Sequence, residues 1–376
     1  MEILGYIWDW VIPFLIVFTI LVFVHEMGHY WLARLNKVRI EVFSVGFGPE
    51  LYGWNDRHGT RWKIGAVPLG GYVKMFGEHQ SSEDGEERPL TPEERAVSFH
   101  HKRLGQRAAI VAAGPVANFL FAIVLFTGMF AISGMPMPHA AVGAVQSESA
   151  AAEAGLEPGD RIISIEGEPV RWFDDLRAEV SGNPGMPLQL EVQRDGERIV
   201  VTATPKPTEV TVDGESQVIG LLGISPDPSQ VGFERLNPLA AAWTATERTA
   251  VMTGQILEAV WQMITGQRTA EELGGPLRIA QLSGEMAQGG VITLVFFMAV
   301  LSINLGLINL FPVPMLDGGH LAFYAVEAVR GKPLNEKVQE YSFRLGLLLV
   351  LMLLVFVTWN DLVQLEVFDL VRRLIT

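Results

Sequence analysis

The sequence predicts an α-helical integral membrane protein with four transmembrane helices, a β-rich loop and one extracytoplasmic α+β domain. Three observations lead there. Hydrophobic residues make up 49% of the 376-residue chain and charged residues 19%, below the roughly 25% usual in soluble domains. Four apolar stretches approach or exceed the length a bilayer requires, about 20 mainly apolar residues. Between the second and third lies an acidic region punctuated by Gly and Pro, the pattern of a small soluble domain.

The first stretch, Trp10 to Ala33 in segment 1–34, has His25, Glu26 and His29 as its only ionisable residues. The second fills segment 108–138 and has no charge in 31 residues. The third, Met286 to Leu316 in segment 286–320, is also uncharged over 31 residues. The fourth, Leu345 to Asn360 in segment 321–376, spans 16 residues and borrows Tyr341 to Phe343 and Trp359 as interfacial ends. Met1 to Trp10 holds no Lys or Arg, so the first stretch reads as a retained span rather than a cleaved signal peptide.

Basic residues set the orientation. Leu35 to Arg107 carries 11 Lys and Arg, and Asp317 to Arg344 carries four. The positive-inside rule places both loops in the cytoplasm and the N-terminus outside. His139 to Glu285, with ten basic and 22 acidic residues, is then extracytoplasmic. In segment 35–107, Val42 to Gly48 and Trp62 to Met75 alternate like strands. Glu83 to Glu87 and Pro89 to Glu94 read as a solvated loop. A net charge of −14 argues against a nucleic-acid partner. With Cys absent, disulfides, thiolate metal sites and a cysteine nucleophile are excluded.

The acidic domain is read over 139–205. Its string Gly155-Leu-Glu-Pro-Gly159-Asp-Arg-Ile is turn-rich and leads into a strand, Arg161 to Ile165. Paired strands follow around Asp195-Gly196. This pattern resembles a PDZ domain of the bacterial, circularly permuted type, and the resemblance implies either capture of peptide C-termini by strand addition or a spacer without a ligand. Segment 206–285 reads as an extracytoplasmic linker with amphipathic helices. Pro238 to Ile264, with Trp243 and Trp261, lies on the membrane surface or packs on the domain.

The chemistry sits in the first span. His25-Glu26-Met27-Gly28-His29 is an H-E-x-x-H motif. At i and i+4 of a helix both imidazoles share a face and can grip one metal ion, with Glu26 beside them as general base. An ionisable residue at bilayer depth costs about 2.5–3.5 kcal/mol on insertion scales, so it is functional by default. Catalytic zinc takes a third protein ligand and keeps one position open. Without Cys, that ligand is His, Asp or Glu. Asp317 is the first charge after the third span. Pro312 and Pro314 break the helix before it, and Gly318 and Gly319 permit a bend that turns its carboxylate inward. His320 is the rival ligand.

These residues carry a family resemblance. H-E-x-x-H in the first span and Asn309-x-x-Pro312-x-x-x-Leu316-Asp317-Gly318 in the third are similar to the motifs of bacterial site-2 proteases, intramembrane zinc metalloproteases of the regulator-of-sigma-E type. Gly46-Phe-Gly48, Gly70-Gly71-Tyr72-Val73-Lys-Met-Phe-Gly77 and Gly275-Pro-Leu-Arg-Ile-Ala280 extend the likeness over nearly the whole chain. The resemblance implies one Zn2+ per chain on His25, His29 and Asp317, with Glu26 as base and Asn309 on substrate or oxyanion. It implies a membrane-associated β-sheet loop in which Gly70, Gly71, Tyr72 and Val73 pair with unwound substrate. It implies transmembrane protein substrates, such as anti-sigma factors or remnant signal peptides, in a bacterial cytoplasmic (inner) membrane. Two other readings stand beside it. A non-catalytic PDZ membrane scaffold has no use for Glu26. A metal transporter should show inverted repeats or further carboxylates in its spans, and neither is present.

Overall fold

Uncharged runs force the backbone of a membrane segment to satisfy its own hydrogen bonds, and helices do so without a partner. The computed structural model describes residues 7–77, 90–212, 215–269 and 274–364. It contains four helices long and apolar enough to cross a membrane: Trp8–Leu35, Leu104–Ile132, Val291–Leu310 and Lys337–Gln364. The chain divides into two compact units. One is Met1–Met129 with Pro238–Thr376, the other Phe130–Asn237.

In the first unit, α1 (Ile12–Leu35) opens on Pro13, whose missing N–H is harmless in a first turn. The strands β1 (Ile40–Asn55) and β2 (Arg61–Met75) follow. Both are longer than the alternating pattern suggested, because each doubles back. Val42 to Val45 pairs with Arg61 to Ile64 on one side and with Gly71 to Lys74 on the other. Tyr52 to Asn55 pairs with the far side of Arg61 to Ile64. Two strands thus make four arms, bent where Gly46 (φ +88°) and Gly70 (φ +105°) take left-handed backbone that other residues avoid. Among the described residues, Gly71 to Lys74 has Val42 to Val45 as its one strand neighbour. Asp56 closes the turn between the strands. It accepts from the His58 and Thr60 N–H groups at 2.8 and 2.9 Å, from Tyr30 Oη at 3.0 Å and from Trp62 Nε1 at 3.1 Å. Burial pushes its carboxyl up, but these four donors outweigh it and hold the pKa at about 2.

The loop read at Pro89 to Glu94 is in part helical. Thr91 and Glu94 form a reciprocal cap on α2 (Pro92–Val97), whereas Glu83 to Glu87 lie outside the described residues. The second span, α3 (Leu104–Ile132), ends six residues earlier than the uncharged run. Gly134 (φ +97°) turns the chain there into a strand, which burial of apolar residues alone does not forbid.

The second unit contains β3 (Met135–Pro138), β4 (Val142–Val145), α4 (Ala150–Glu153), β5 (Arg161–Ile165), β6 (Glu168–Pro169), α5 (Phe173–Gly182), β7 (Leu188–Arg194) and β8 (Glu197–Ala203). It continues through β9 (Lys206–Val212), β10 (Glu215–Leu221), β11 (Ile224–Pro226) and β12 (Val231–Glu234). Its largest sheet has the order β6-β5-β7-β8. The core is Val142, Ile162, Ile165, Leu176, Leu190 and Val192 with their neighbours. The unit is wider than 139–205 because β11 returns to pair with β4 and β12 with β3. Residues 206–237, read as linker, therefore belong to it.

The chain then re-enters the first unit through α6 (Pro238–Ile264) and α7 (Pro276–Gln288). Three backbone N–H groups at the start of α7, on Gly275, Leu277 and Arg278, donate to the Asp361 carboxylate at 2.8, 3.0 and 3.1 Å. Gly290 (φ +96°) separates α7 from α8 (Val291–Leu310), so Met286 belongs to α7 and the third span is shorter than its uncharged run. α9 (Asp317–Arg330) and α10 (Glu336–Gln364) complete the unit. α10 is longer than the 16-residue apolar core because its polar first turns continue the helix.

Candidate metal centre

The helical spacing of His25 and His29 places both imidazoles on one face of α1, and both are buried, at 9% and 8% exposure. Asp317 arrives as the first residue of α9. Pro312 and Pro314 end α8, and Met315 (φ +93°) takes a left-handed conformation unusual for a side chain of its size. Gly318 and Gly319 do not supply the bend that their sequence suggested, since neither has positive φ. Their role is close approach. A β-carbon on Gly318 would collide with the Leu310 and Phe311 carbonyls, and one on Gly319 would lie 2.8 Å from Pro314 Cα.

His25 Nε2, His29 Nε2 and Asp317 Oδ2 converge. His25 Nε2 lies 3.1 Å and His29 Nε2 3.5 Å from Asp317 Oδ2, and the two Nε2 atoms are 3.2 Å apart. Three ligand atoms at about 2.0–2.1 Å on a tetrahedral zinc stand roughly 3.3 Å apart, so the triangle has the size of one face of that polyhedron. Asp317 Oδ2 is buried with no aligned hydrogen-bond donor among the described residues. An orphaned buried carboxylate oxygen is costly unless a cation answers it. The donor set therefore fits one metal ion. His29, His25 and Asp317 form a candidate metal group among the described residues, and His320 is not in it. Its ring packs on Phe343 at 5.2 Å.

The surroundings fix the two imidazoles. His29 Nδ1–H donates to the Ile110 carbonyl at 2.9 Å. A carbonyl only accepts, so the lone pair of a neutral His29 is on Nε2, facing the cluster. Asn118 Nδ2 stands 3.2 Å from His25 Nδ1. Both groups come from α3, whose Pro115 leaves the Val111 carbonyl without its helical donor. Arg107 ties the start of α3 to α9 through Glu327 at 2.6 Å and lies over the Tyr324 ring.

Glu26 is half-buried and next to His25 in the helix. Gly71 lies against it: a β-carbon there would stand 3.1 Å from Glu26 Cγ and 2.9 Å from Val22 Cγ1. Of the other strand residues, Tyr72 stacks on Phe47 and Val73 is buried in the core with Phe43 and Ala33. Asn309 is not drawn into the cluster. Its Nδ2 donates to the Leu305 carbonyl of its own helix at 3.0 Å. Asn118 and Gly114 escaped the sequence reading. A polar residue in an uncharged span was the available signal for Asn118, and Gly114 gave none.

Comparison with known proteins adds three likenesses and a family. The profile of peptidase family M50 matches residues 13–353. A Rhizobium meliloti protein provisionally named a zinc metalloprotease is 48% identical over 357 residues, covering 93% of this chain and 95% of the relative. An Agrobacterium fabrum protein of the same provisional name is 43% identical over 364 residues, covering 95% of this chain and 97% of the relative. The regulator of sigma-E protease of Salmonella typhimurium is 32% identical over 453 aligned residues, covering 95% of this chain and 99% of that protein.

Proposed function

The chain belongs to peptidase family M50 and is a membrane zinc metalloprotease, and from this we propose that it is an intramembrane endopeptidase that cuts single-span membrane proteins. The observation that carries the proposal is the buried triangle of His25 Nε2, His29 Nε2 and Asp317 Oδ2, with edges of 3.1 to 3.5 Å. These three residues hold one Zn2+. Bound there, zinc supplies Lewis acidity, polarising a peptide carbonyl and making water acidic near neutral pH.

Glu26 is the general base. Its carboxylate takes the proton of the attacking water and passes it to the leaving amide nitrogen, so the charge it gains and loses never leaves the site. Asn309 is assigned to substrate, for which its amide exchanges the Leu305 carbonyl for a substrate carbonyl. A transmembrane substrate must unwind before its peptide bonds are accessible, and the freed groups need partners. The Gly71 to Lys74 stretch, with one strand neighbour among the described residues, offers them by strand addition, and Gly71 is small enough to pack beside Glu26.

We read the enzyme as a multi-pass protein of a bacterial cytoplasmic (inner) membrane. The basic loops put the metal centre toward the cytoplasmic side, with the N-terminus and the domain read over 139–205 outside. The outer unit is read as a PDZ domain that takes or excludes peptide C-termini, and the substrate class as anti-sigma factors and remnant signal peptides. A scaffold without catalysis is disfavoured by Glu26, which such a protein does not need.

Glu26→Gln tests the mechanism. The purified variant should keep its zinc, since Gln preserves shape and Glu26 is outside the metal group. Cleavage of a single-span reporter in detergent or vesicles should fall by ~10³-fold or more. Cleavage near the native rate would remove Glu26 as base.

A further inference from the structure

We propose that Asn118 is a positioning residue for the metal centre: its side-chain amide holds His25 in the tautomer whose Nε2 lone pair faces the metal. The inference rests on the reading of His25 as a zinc ligand and extends it to the helix behind that ligand.

The two histidines have different supports. Behind His29 stands a backbone carbonyl, Ile110 O, which dictates Nδ1–H and leaves Nε2 to ligate. Behind His25 stands Asn118, fully buried, with Nδ2 at 3.2 Å from Nδ1. In that orientation the amide N–H donates to Nδ1, and the proton of a neutral imidazole sits on Nε2. Ligation through Nε2 needs the opposite tautomer, with Nδ1–H, and Nδ1–H needs an acceptor. Asn118 carries one. Its Oδ1 is buried with no hydrogen-bond partner among the described residues. A half-turn about Cβ–Cγ exchanges two ends of nearly equal shape and brings Oδ1 onto Nδ1–H. An amide thus serves either tautomer of His25, and in the ligating one it accepts as Ile110 O does behind His29.

Asn118 is itself held in place. Ser302 Oγ donates to the Asn118 backbone carbonyl at 2.8 Å. Gly306 lets α8 approach this stretch of α3, since a β-carbon there would lie 3.0 Å from Pro115 O and 3.3 Å from Asn118 Cβ. His25 is therefore backed by a side chain that two helices fix. Partners of this kind orient a ligand and raise its basicity.

The test compares zinc affinity in the purified full chain, by competition with a chromophoric chelator, for Asn118→Ala, Asn118→Asp, Asn118→Leu and His25→Ala. The visible spectrum of the Co(II)-substituted protein is recorded alongside. Asn118→Ala should weaken zinc binding by about 10- to 100-fold and alter the Co(II) bands. Asn118→Asp keeps an acceptor and should restore native affinity, whereas Asn118→Leu, of similar volume but without an acceptor, should lose as much as Asn118→Ala; a residue that merely packs would be rescued by Leu as well as by Asp. Native affinity in Asn118→Ala, or equal losses in Ala and Asp variants, would overturn the proposal while a weakened His25→Ala leaves the ligand reading standing. Unchanged affinity in His25→Ala would overturn that reading and this inference with it.

Discussion

Gly114 lies so close to His29 that a β-carbon at residue 114 would overlap Nε2 and stand 2.6 Å from the imidazole Cε1. The same β-carbon would be 2.9 Å from His25 Cε1. The rings cannot retreat freely, because His29 Nδ1 is tied to Ile110 O on the same helix as Gly114. Gly114→Ala should therefore displace a ligand rather than fill space. We expect zinc affinity to fall about 10-fold or more, the range for disturbed ligand orientation. Chelator competition measures it, and native affinity would mean that α3 moves aside instead.

The ligand set gives a second expectation. Purified protein should contain about one zinc per chain, the capacity of a two-His, one-carboxylate site. His25→Ala, His29→Ala and Asp317→Ala should each empty it, whereas His320→Ala should not, since that ring packs on Phe343 outside the triangle. Metal analysis of the four variants decides. Full zinc and activity in Asp317→Ala would transfer the ligand role to another residue.

The parts of this structure that were legible in sequence are those written in local spacing. Four spans follow from runs of apolar residues, and the pairing of His25 with His29 from one helical turn. Asp317 stood out as a charge ending an uncharged run. What local pattern could not show is long-range return. β11 and β12 pair with strands some 80 to 100 residues earlier, so the second unit ends at Asn237 rather than Pro205. Val42 to Val45 has two strand neighbours, which alternation along one strand does not reveal. Gly114 and Asn118 are neutral residues in an apolar helix. Their meaning depends on the facing helix, not on their own neighbours.

Asp160 explains the Gly155 to Gly159 string in the second unit. Its carboxylate accepts from Arg194 Nε and Nη2, each at 2.7 Å, and from the Glu157 N–H at 2.8 Å, locking the turn onto β7. Burial pushes the Asp160 carboxyl up, but the Arg194 guanidinium and the Glu157 N–H hold it below its ordinary value. A depressed folded-state pKa means that the unfolded chain takes up the proton more readily. The contribution is thus present above about pH 4, the ordinary Asp value, and is lost as pH falls through the lower folded pKa. Thermal melts of the isolated fragment 130–237 should show this acid loss. Asp160→Asn should lower the melting temperature at pH 7 and flatten the acid limb. An unchanged acid limb would remove Asp160 as its source.

The second unit is built to be excised. β3 pairs antiparallel with β12, so Met135 is opposite Glu234, and Leu236 N donates to the Phe130 carbonyl at 3.2 Å. The chain enters and leaves at one place. Partner Cα atoms in an antiparallel ladder are about 4.5–5.5 Å apart, a gap that a two-residue turn closes. Replacing residues 135–234 by such a turn should leave zinc content unchanged, because every member of the metal group lies in the first unit. Two roles for the unit then separate. If it excludes bulky substrate domains, specificity comes from rejection. The excised enzyme should then cut full-length substrate that the native enzyme leaves intact. If it recruits by binding a new C-terminus, excision should slow the cutting of short stubs. We expect exclusion. A membrane assay with stub and full-length substrate measures both rates. Slower stub cleavage with no gain on full-length substrate, in protein that still holds zinc, would establish recruitment instead.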